Sequence, residues 1–372
     1  MPLLASMQNT FADFAVLGRQ VQSEPGVIVG PIARVFGAIL NFLFNIAHAI
    51  TPNNSLGVSI ILLTIVAMVI MLPLGIKSQR SMMKMQQLNP EMQKIRAKYK
   101  DSRDREQQQK MNQEMQALYA KHKVNPLGGC LPMLLQMPLF FGLIFIMNHS
   151  FVYIGVLNDL YYQISEAIMQ VPDYIQLLRP LAEPLIPGGW AGNAAQVQSL
   201  IDAGWAAEAA VAHVSGDVII FWWPEHLSRI FNSFSQENWQ SLFYQIPDAY
   251  MYTIQPLFDQ MQNIEIFFGL PLRDASGLMP PGGIIPLLAV LTSLVSAWLS
   301  QQVNKPADDR AKTQQMIMLL VMPLFMGFIT VTMPAGVGLY WVTMNLFRIG
   351  QQFIMNKSAG VKMSLPFKKQ EA

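Results

Sequence analysis

Five long apolar runs constrain this chain more than any other feature of its sequence. Each contains the roughly 20 apolar residues that a helix needs to cross the hydrocarbon core of a bilayer. Within that core every backbone polar group has to be satisfied internally, which favours α-helices. The predicted transmembrane helices are residues 55–76, 127–148, 283–303, 315–333 and 336–356.

The composition supports the same class of protein. Charged residues make up 13% of the chain, about half of what is usual in a soluble domain, and apolar residues make up 52%. We therefore expect an all-α integral membrane protein with five transmembrane helices. A cytoplasmic antiparallel helical hairpin and an N-terminal interfacial amphipathic helix complete the predicted fold.

An asymmetry of charge predicts how these helices are oriented. Residues 77–124 contain twelve Lys or Arg against five Asp or Glu and are net +7, whereas residues 149–282 contain three Arg against thirteen acids and are net −10. Cytoplasmic loops carry an excess of Lys and Arg. Residues 77–124 and the loop 304–314 are therefore assigned to the cytoplasm, with the N-terminus outside and the tail 357–372 inside.

Residues 31–50, within an extracytoplasmic N-terminal segment 1–54, are apolar and about as long as a membrane span. Their polar side chains fall within about 60° of one another on a helix, a narrow stripe on an otherwise apolar cylinder. This pattern is typical of a helix that lies in the outer interface. The alternative is a sixth transmembrane helix, which would place residues 77–124 outside. The stripe consists of Arg34, Asn41, Asn45 and His48.

Residues 77–124 combine an apolar repeat with their basic charge. Apolar residues recur with heptad-like spacing on both sides of a break at Asp101 and Ser102, which predicts two antiparallel helices with a thin Met-rich seam. Such a hairpin is either a solvated protrusion drawn to anionic headgroups or a docking arm, since Met adapts to varied apolar surfaces. The candidate contact residues are Met82, Met83, Met85, Met92, Ile95, Tyr99, Met111, Met115 and Leu118.

Two blocks of short motifs carry a family resemblance. The first block contains Leu72-Pro73-Leu74, Ser81-Met82-Met83-Lys84-Met85-Gln86, Leu88-Asn89-Pro90, Asn125-Pro126-Leu127-Gly128-Gly129-Cys130-Leu131-Pro132 and Gln136-Met137-Pro138. The second contains Met322-Pro323, Pro334-Ala335-Gly336, Leu339-Tyr340-Trp341, Asn345-Leu346-Phe347 and Gln351-Gln352. Together they resemble the YidC insertase family, whose relatives are the mitochondrial Oxa and chloroplast Albino insertases. The resemblance covers about residues 55–150 and 264–357.

The resemblance implies a function and a location. It implies a five-helix protein of the bacterial cell membrane, of the YidC type without a large periplasmic domain, that inserts other membrane proteins. A polar groove open to the cytosol and to lipid would receive their apolar segments. Neither ATP, a cofactor nor covalent chemistry is required, so an enzyme is not expected. The implied partners are nascent membrane proteins and lipid, then the ribosome and the general secretion channel, and no DNA.

Cationic residues in the tail are candidates for ribosome or lipid contact. The tail contains a single acidic residue, Glu371, against four lysines: Lys357, Lys362, Lys368 and Lys369. Binding to RNA through such residues should weaken as salt rises. The alternative is that the tail serves only as a positive-inside anchor.

Polar residues inside the predicted spans are the candidates for the groove. Hydroxyl and amide groups there would shorten the apolar path that a polar segment has to cross. The alternative is that they bond neighbouring helices or their own backbone, as such residues commonly do in membrane helices. The candidates are Thr64, Gln136, Thr292, Ser293, Ser296, Thr343 and Asn345.

One position departs from the family pattern. Many bacterial members place an Arg in the first span, four residues before the Leu-Pro-Leu motif, where this chain has Met68. Arg348 lies twelve residues into the fifth span, which is about 18 Å along a helix. We expect Met68 to lie at a similar depth and both residues to belong to the groove, so Arg348 is a candidate to supply the displaced charge. The alternative is that its long side chain reaches out to the interface.

The segment 149–282 is a second departure, because it is longer than the connection expected in most of the family. Ala194 to His213 and Tyr250 to Ile264 are predicted to be helical. Five Trp residues in it favour a membrane interface. We expect an outer helical cap, although a domain that binds a partner is an alternative.

Catalytic and metal-binding patterns are weak throughout the sequence. The five His are scattered without the spacing of a ligand pair, and no Walker-type phosphate loop occurs. The single Cys130 has no second Cys with which to form an internal disulfide. Two alternative functions remain open: a polytopic scaffold or assembly factor that does not insert proteins, and, less favoured, a small secondary transporter, which typically has internal repeats.

Overall fold

The computed structural model describes residues 29–99, 105–122, 124, 131–148, 150–185, 199, 202–203, 224–279, 282–301, 313 and 316–358. In chain order the helices are α1 (Val29–Ile50), α2 (Ser55–Gln87), α3 (Asn89–Lys98), α4 (Arg105–Lys121), α5 (Leu131–Asn148), α6 (Ser150–Tyr153), α7 (Gly155–Met169), α8 (Tyr174–Ala182), α9 (Pro224–Ser233), α10 (Gln236–Gln245), α11 (Asp248–Glu265), α12 (Ile284–Gln301), α13 (Met322–Thr332) and α14 (Ala335–Ser358).

Little else than helix occurs in the described part of the chain. Glu183–Leu185 form a 3₁₀ turn, and Ile317–Val321 form a π-helical turn that leads into α13. Two short strands, β1 (Ile266–Phe267) and β2 (Leu270–Pro271), pair as an antiparallel hairpin. The prediction of an all-α class is thus confirmed, with this hairpin as a small addition.

Two of the described helices are long and apolar enough to cross a membrane. They cover Ser55–Met85 and Ile284–Gln301. Three further apolar helices are shorter, at Arg34–Ile50, Gln136–Met147 and Leu319–Thr332. The number of five spans and the interfacial placement of residues 31–50 therefore stay predictions.

The first long helix continues beyond the predicted end of its span. α2 runs through Pro73 to Gln87, so the apolar run and the beginning of the basic segment form one helix. Leu88 separates α2 from α3, and Pro90 in the first turn of α3 suits a helix start because its missing N–H has no partner there anyway.

The chain divides into two compact units. The first contains the described parts of Met1–Ile60, Leu139–Gly282 and Thr332–Val337, and the second those of Ile61–Pro138, Gly283–Val331 and Gly338–Ala372.

The core of the first unit is built by α7, on which both α9 and α11 pack. Apolar residues recur every three or four positions along α7, which places them on one face of the helix. They are Leu157, Leu160, Tyr161, Ile164 and Ile168, all buried. Much of segment 149–282 thus has a hydrophobic core of its own. The predicted helix Tyr250 to Ile264 is confirmed within α11, whereas Ala194 to His213 lies almost entirely outside the described residues.

An aromatic cluster extends this core. The centroids of neighbouring rings lie 4.7–5.6 Å apart, and the rings are tilted or edge to face. Aromatic rings prefer such arrangements to a face-to-face stack. Ser235 caps α10 by accepting a hydrogen bond from the backbone of Asn238, whose side chain bonds back to Ser235. The cluster consists of Phe231, Phe234, Trp239, Phe243 and Phe258.

Helix α1 belongs to the first unit and buries only a narrow stripe. Leu40, Phe44 and Ala47 are buried, whereas Val35 and Phe42 are exposed. Two members of the predicted polar stripe have contacts within the unit: Asn41 accepts a hydrogen bond from the backbone of Gly155, and His48 bonds to Ser55.

Within the second unit, α12, α13 and α14 approach closely at small residues. A Cβ added at Gly327 of α13 would collide with Val290 of α12, and one added at Gly338 of α14 would collide with Ile285. Small residues at helix contacts are typical of membrane helix bundles, where packing rather than hydrophobic burial drives association.

Candidate functional site

A cavity of about 440 Å³ lies in the second unit, between the helices α2, α12, α13 and α14. Its polar lining combines hydroxyl groups, side-chain amides and one guanidinium. The polar residues are Gln79, Ser293, Ser296, Ser300, Asn345, Arg348, Gln351 and Gln352. Small and apolar residues complete the wall: Gly75, Ala289, Ala297, Met322, Pro323, Met326, Trp341 and Met344.

Residues on α14 line this cavity because of their helical spacing. Asn345, Arg348 and Gln352 are separated by three and four positions, which places their side chains on one face. Trp341 and Met344 belong to the same face. The cavity wall contributed by α14 is therefore polar although the helix is largely apolar.

Hydrogen bonds hold α14 to α12 beside the cavity. The Nδ2 of Asn345 donates to the Oγ of Ser293 at 2.8 Å and to the Oγ1 of Thr292 at 3.2 Å. Thr292 itself donates to the carbonyl of Leu288 in its own helix at 2.7 Å. Asn345 and Ser293 thus both line the cavity and join two helices, so the two interpretations of these residues do not exclude each other.

A second chain of amides links α2, α14 and α12. Gln79 donates to Gln352, Gln352 donates to the Oδ1 of Asn356 at 2.7 Å, and Asn356 donates to the carbonyl of Leu299 at 3.0 Å. Gly75 lets α2 approach α14, because a Cβ there would lie 3.1 Å from the Nε2 of Gln351. Side-chain amides thus occupy the wall where α2 and α14 meet.

Arg348 is the only charged residue among the described residues that line the cavity. It forms no hydrogen bond or ion pair with any residue that the structure describes. A guanidinium presents donors in a planar fork that matches a carboxylate. Among the described residues, the cavity lining thus contains this one cation and no acid.

Five predicted groove residues are not among those that line the cavity: Thr64, Met68, Gln136, Thr292 and Thr343. Thr64 and Met68 are buried in the second unit. Gln136 donates a hydrogen bond to the hydroxyl of Tyr340, which joins α5 to α14. Thr343 donates to the carbonyl of Leu339 in its own helix at 2.8 Å. For Gln136 and Thr343 these contacts favour the structural interpretation.

The helices α3 and α4 pack antiparallel in the second unit. Lys98 near the end of α3 bonds to Glu114, and Tyr119 farther along α4 donates to the sulfur of Met92 near the start of α3. The buried centre consists of Leu88, Met92, Leu118 and Val124, with Met85, Ile95, Met115 and Tyr119 packed against it. Met83 and Met111 are half-buried. The predicted break at Asp101 and Ser102 and the side chain of Met82 lie outside the described residues.

Polar contacts at the surface join the same two helices. The Nζ of Lys98 lies 2.5 Å from the Oε1 of Glu114, which also accepts from the hydroxyl of Tyr99 at 2.9 Å. Hydrogen bonding to Glu114 raises the pKa of Lys98, and hydrogen bonding to Lys98 lowers the pKa of Glu114. Lys357 is exposed near the end of α14, and Lys362, Lys368 and Lys369 lie outside the described residues.

Several lining residues were missed by the search for polar residues within apolar runs. Gln79 lies just beyond the first run, in the basic segment, where an amide does not stand out. Gln351 and Gln352 belong to a motif noted above but were not assigned to the groove. The three- and four-residue spacing from Asn345 and Arg348 would have identified Gln352. Among the described residues, no group of three or more His, Cys, Asp or Glu is placed to hold a metal ion.

Comparison with known proteins identifies the family. The sequence model of the family described as "60Kd inner membrane protein" matches residues 46–179 and 227–362. The chain belongs to this family. The matched residues extend beyond the motif blocks into both ends of segment 149–282, so that only residues 180–226 of this segment lie outside the family match.

Curated relatives carry the name "membrane protein insertase YidC". The one from Syntrophus aciditrophicus (strain SB) is 42% identical over 104 residues, which are 28% of this chain and 17% of that protein. The one from Anaeromyxobacter dehalogenans (strain 2CP-C) is 45% identical over 123 residues, 32% of this chain and 21% of that protein. The one from Syntrophobacter fumaroxidans is 46% identical over 117 residues, which are 32% of this chain and 19% of that protein.

The resemblance to the YidC family is confirmed by these matches. The chain spans about a fifth of the length of these curated relatives. Membership of a bacterial inner membrane family agrees with the apolar helices α2 and α12.

Proposed function

We propose that this chain is a membrane protein insertase that receives apolar segments of nascent proteins in its polar cavity and releases them into the bilayer. The observation that carries the proposal is a cavity lined by hydroxyls, amides and Arg348, and walled by apolar helices. Support also comes from the family and from the names of the relatives.

The physical task explains why such a cavity helps. A transmembrane segment gains free energy when its apolar residues leave water, but its polar flank has to cross a core where each unsatisfied polar group costs several kcal/mol. Side chains such as Ser293, Ser296 and Gln351 offer hydrogen bonds to that flank. The flank then crosses a shorter apolar distance, and no ATP is needed.

Arg348 is proposed to attract an acidic flank. A guanidinium in a cavity whose described lining contains no acid has a desolvation cost that an incoming carboxylate would offset. Met68 is buried outside the cavity lining, so the charge that many relatives place in the first span would be supplied from the fifth.

The helices α3 and α4 are proposed to receive the substrate first, on the cytoplasmic side. Their seam is rich in Met, which adapts to apolar segments of different shape. In this proposal the five predicted spans, the outer cap 149–282 and the cytoplasmic C-terminus are retained. The ribosome and the general secretion channel are candidate partners.

Reconstitution tests the proposal directly. The purified chain is placed in vesicles of phosphatidylethanolamine and phosphatidylglycerol, and a short single-span substrate is synthesised in their presence. We expect protease-protected substrate only in vesicles that contain the chain. A chain that binds the substrate without raising its protected fraction above that of empty vesicles would be a scaffold, and the proposal would fail.

A charge-matched substrate pair tests the role of Arg348. The two substrates differ only in whether the translocated flank carries Asp or Asn residues. Arg348→Gln should reduce insertion of the acidic substrate and leave that of the neutral one unchanged, and Arg348→Lys should retain most activity. Equal loss on both substrates would contradict the charge role while leaving the insertase proposal in place.

A further inference from the structure

The β-hairpin of the first unit ends in an exposed aromatic residue at an unfavourable position. Its two-residue loop is Phe268 and Gly269, with φ of 49° and 80°. Positive φ at both loop positions is the signature of a type I′ turn, which favours Asn or Gly because a bulky side chain is strained there. Phe268 is nevertheless 81% exposed. Neither turn geometry nor packing explains a Phe at this position.

Hydrogen bonds fix this tip at the beginning of α2, one of the two described helices that are long and apolar enough to cross a membrane. The backbone N–H of Phe268 donates to the Oδ1 of Asn54 at 2.8 Å, and the N–H of Asn54 donates to the carbonyl of Asn263 at 2.9 Å. Asn54 immediately precedes Ser55, the first residue of α2. The loop is therefore held within one helical turn of the start of the predicted first span.

Packing strengthens the same attachment. The ring of Phe267 lies so close to Gly57, in the first turn of α2, that a Cβ at Gly57 would collide with it. The rings of Phe267 and Phe268 meet edge to face, with centroids 4.8 Å apart. One ring of the pair thus contacts α2 and the other is directed to the surroundings. A few residues before Asn54, the last residue of α1, Ile50, is also exposed.

We propose that Phe268 is a membrane anchor, with its ring inserted at the boundary between headgroups and hydrocarbon beside the start of α2. The apolar part of α2 begins at Leu56, so the hydrocarbon core begins at this level. An exposed apolar ring held at that level gains free energy by leaving water for the boundary between headgroups and hydrocarbon, where the Trp, Phe and Leu side chains of interfacial helices are buried. The occupant of this surface is therefore the bilayer.

The anchor has a consequence for the first unit. Glu265, the last residue of α11, directly precedes the hairpin, and Leu272 directly follows it. Insertion of the tip therefore connects the buried core of α11 to the membrane surface. The inference rests on the membrane location of the chain and does not require insertase activity.

A site-specific fluorescent label tests the anchor. In a Cys130→Ala background, which removes the single native thiol, Phe268→Cys and the control Tyr244→Cys are each labelled with an environment-sensitive nitrobenzoxadiazole dye. Tyr244 is 92% exposed on α10. Both proteins are placed in nanodiscs of phosphatidylethanolamine and phosphatidylglycerol, with and without brominated acyl chains. The readouts are emission wavelength, quenching by bromine and quenching by aqueous iodide.

The dye at position 268 should emit at shorter wavelength than the dye at 244, be quenched by brominated lipid and resist iodide. Iodide quenching equal to that at position 244 would place the tip in water and overturn the proposal. Protection from both quenchers would show that protein covers the tip, and would overturn it equally. Because both positions are exposed, neither label should disturb folding, and melting curves of both labelled proteins in detergent check this.

Discussion

Two arginines in different regions of the molecule have opposite surroundings. In the first unit, the Nη1 of Arg273 lies 3.2 Å from the Oε1 of Glu265, and it also donates to the hydroxyl of Tyr161. In the second unit, Arg348 lines a polar cavity in which no described residue is acidic. One cation is thus paired with an acid within the fold, whereas the other has no acidic partner among the described residues, as the substrate-binding role proposed for it requires.

The surroundings of Glu265 show how closely the first pair is built. Its side chain is 12% exposed and that of Arg273 is 14% exposed. Burial raises the pKa of the Glu265 carboxyl, and the charge of Arg273 and the hydrogen bond from Tyr161 oppose this rise. The pair is therefore expected to support stability, and Arg348 to support function.

Loss of Arg273 should have the largest effect on stability. Arg273→Met leaves the carboxylate of Glu265 buried without its counter-charge, which should lower the free energy of unfolding by about 3–5 kcal/mol near neutral pH. Without Arg273 the pKa of Glu265 rises further above its value in the unfolded chain. The folded state then takes up the proton more readily, so the loss of stability should shrink as pH falls. Thermal melts in detergent at several pH values measure this.

The double variant Arg273→Met with Glu265→Gln is the matched control. It removes both charges, so it should recover most of the lost stability and lose the pH dependence. A single variant that melts like the wild-type protein would show that the pair is not needed by the fold, and the contrast between the two arginines would disappear.

Loss of Arg348 should have the largest effect on function. A hydrogen bond to a charged group contributes about 1.5–3 kcal/mol, so Arg348→Gln should slow insertion of a substrate with an acidic flank on the order of 10–100-fold. Its melting temperature should not fall, because no described partner is lost and the desolvation cost of the charge is removed. The rate of protease protection in vesicles and a thermal melt of the same preparation are compared.

A positive charge placed on another wall of the cavity provides a second test of the role of Arg348. Ser296 lines the cavity from α12, so Ser296→Arg in the Arg348→Gln background should restore part of the insertion of the acidic substrate. Destabilisation by Arg348→Gln alone would instead assign Arg348 a structural role like that of Arg273.

Asn345 should show an intermediate effect on stability. Interhelical hydrogen bonds in membranes contribute about 0.6–1.7 kcal/mol, and Asn345→Ala removes the bonds to Ser293 and Thr292. A small fall in melting temperature is therefore expected. Ser296→Ala is the matched variant, because Ser296 lines the same cavity without a described hydrogen bond, and its melting temperature should not change. Identical melting of both variants would contradict the role of Asn345 in joining α12 to α14.

The smallest effect is expected at the exposed pair between α3 and α4. Lys98 and Glu114 are 60% and 38% exposed, and water screens such pairs so strongly that many contribute nothing measurable. Lys98→Ala should therefore melt like the wild-type protein. If the melting temperature of Lys98→Ala fell as much as that of Arg273→Met, the difference in exposure would not explain how much each ion pair contributes to stability.

The sequence predicted the helical class and part of the cavity for identifiable reasons. Charge and hydropathy patterns indicate whether lipid or water surrounds a segment, and the apolar runs therefore predicted membrane helices. The predicted boundary after Ile76 marks such a change of surroundings, but the helix α2 itself continues through it to Gln87. Asn345 and Arg348 were recognised because they interrupt an apolar helix.

Contacts between distant segments were not accessible from local patterns. Gln79 and Gln352 are 273 positions apart, and neither residue alone indicates a cavity. The pair of Glu265 and Arg273 was also missed, because the intervening hairpin, rather than a helical repeat, brings the two side chains together. Met68 was assigned to the groove from family spacing, which does not report the direction of a side chain.

Photocrosslinking shows whether substrate passes through the cavity. A photoreactive amino acid is placed at Ser296, in the cavity wall, or at Leu291, which is exposed on the same helix outside the lining. A ribosome-bound nascent chain with a stalled transmembrane segment is then added to vesicles that contain either protein. If substrate passes through the cavity, position 296 should give strong adducts and position 291 weak ones. Efficient insertion with no adduct at 296, or with equal adducts at both positions, would contradict it.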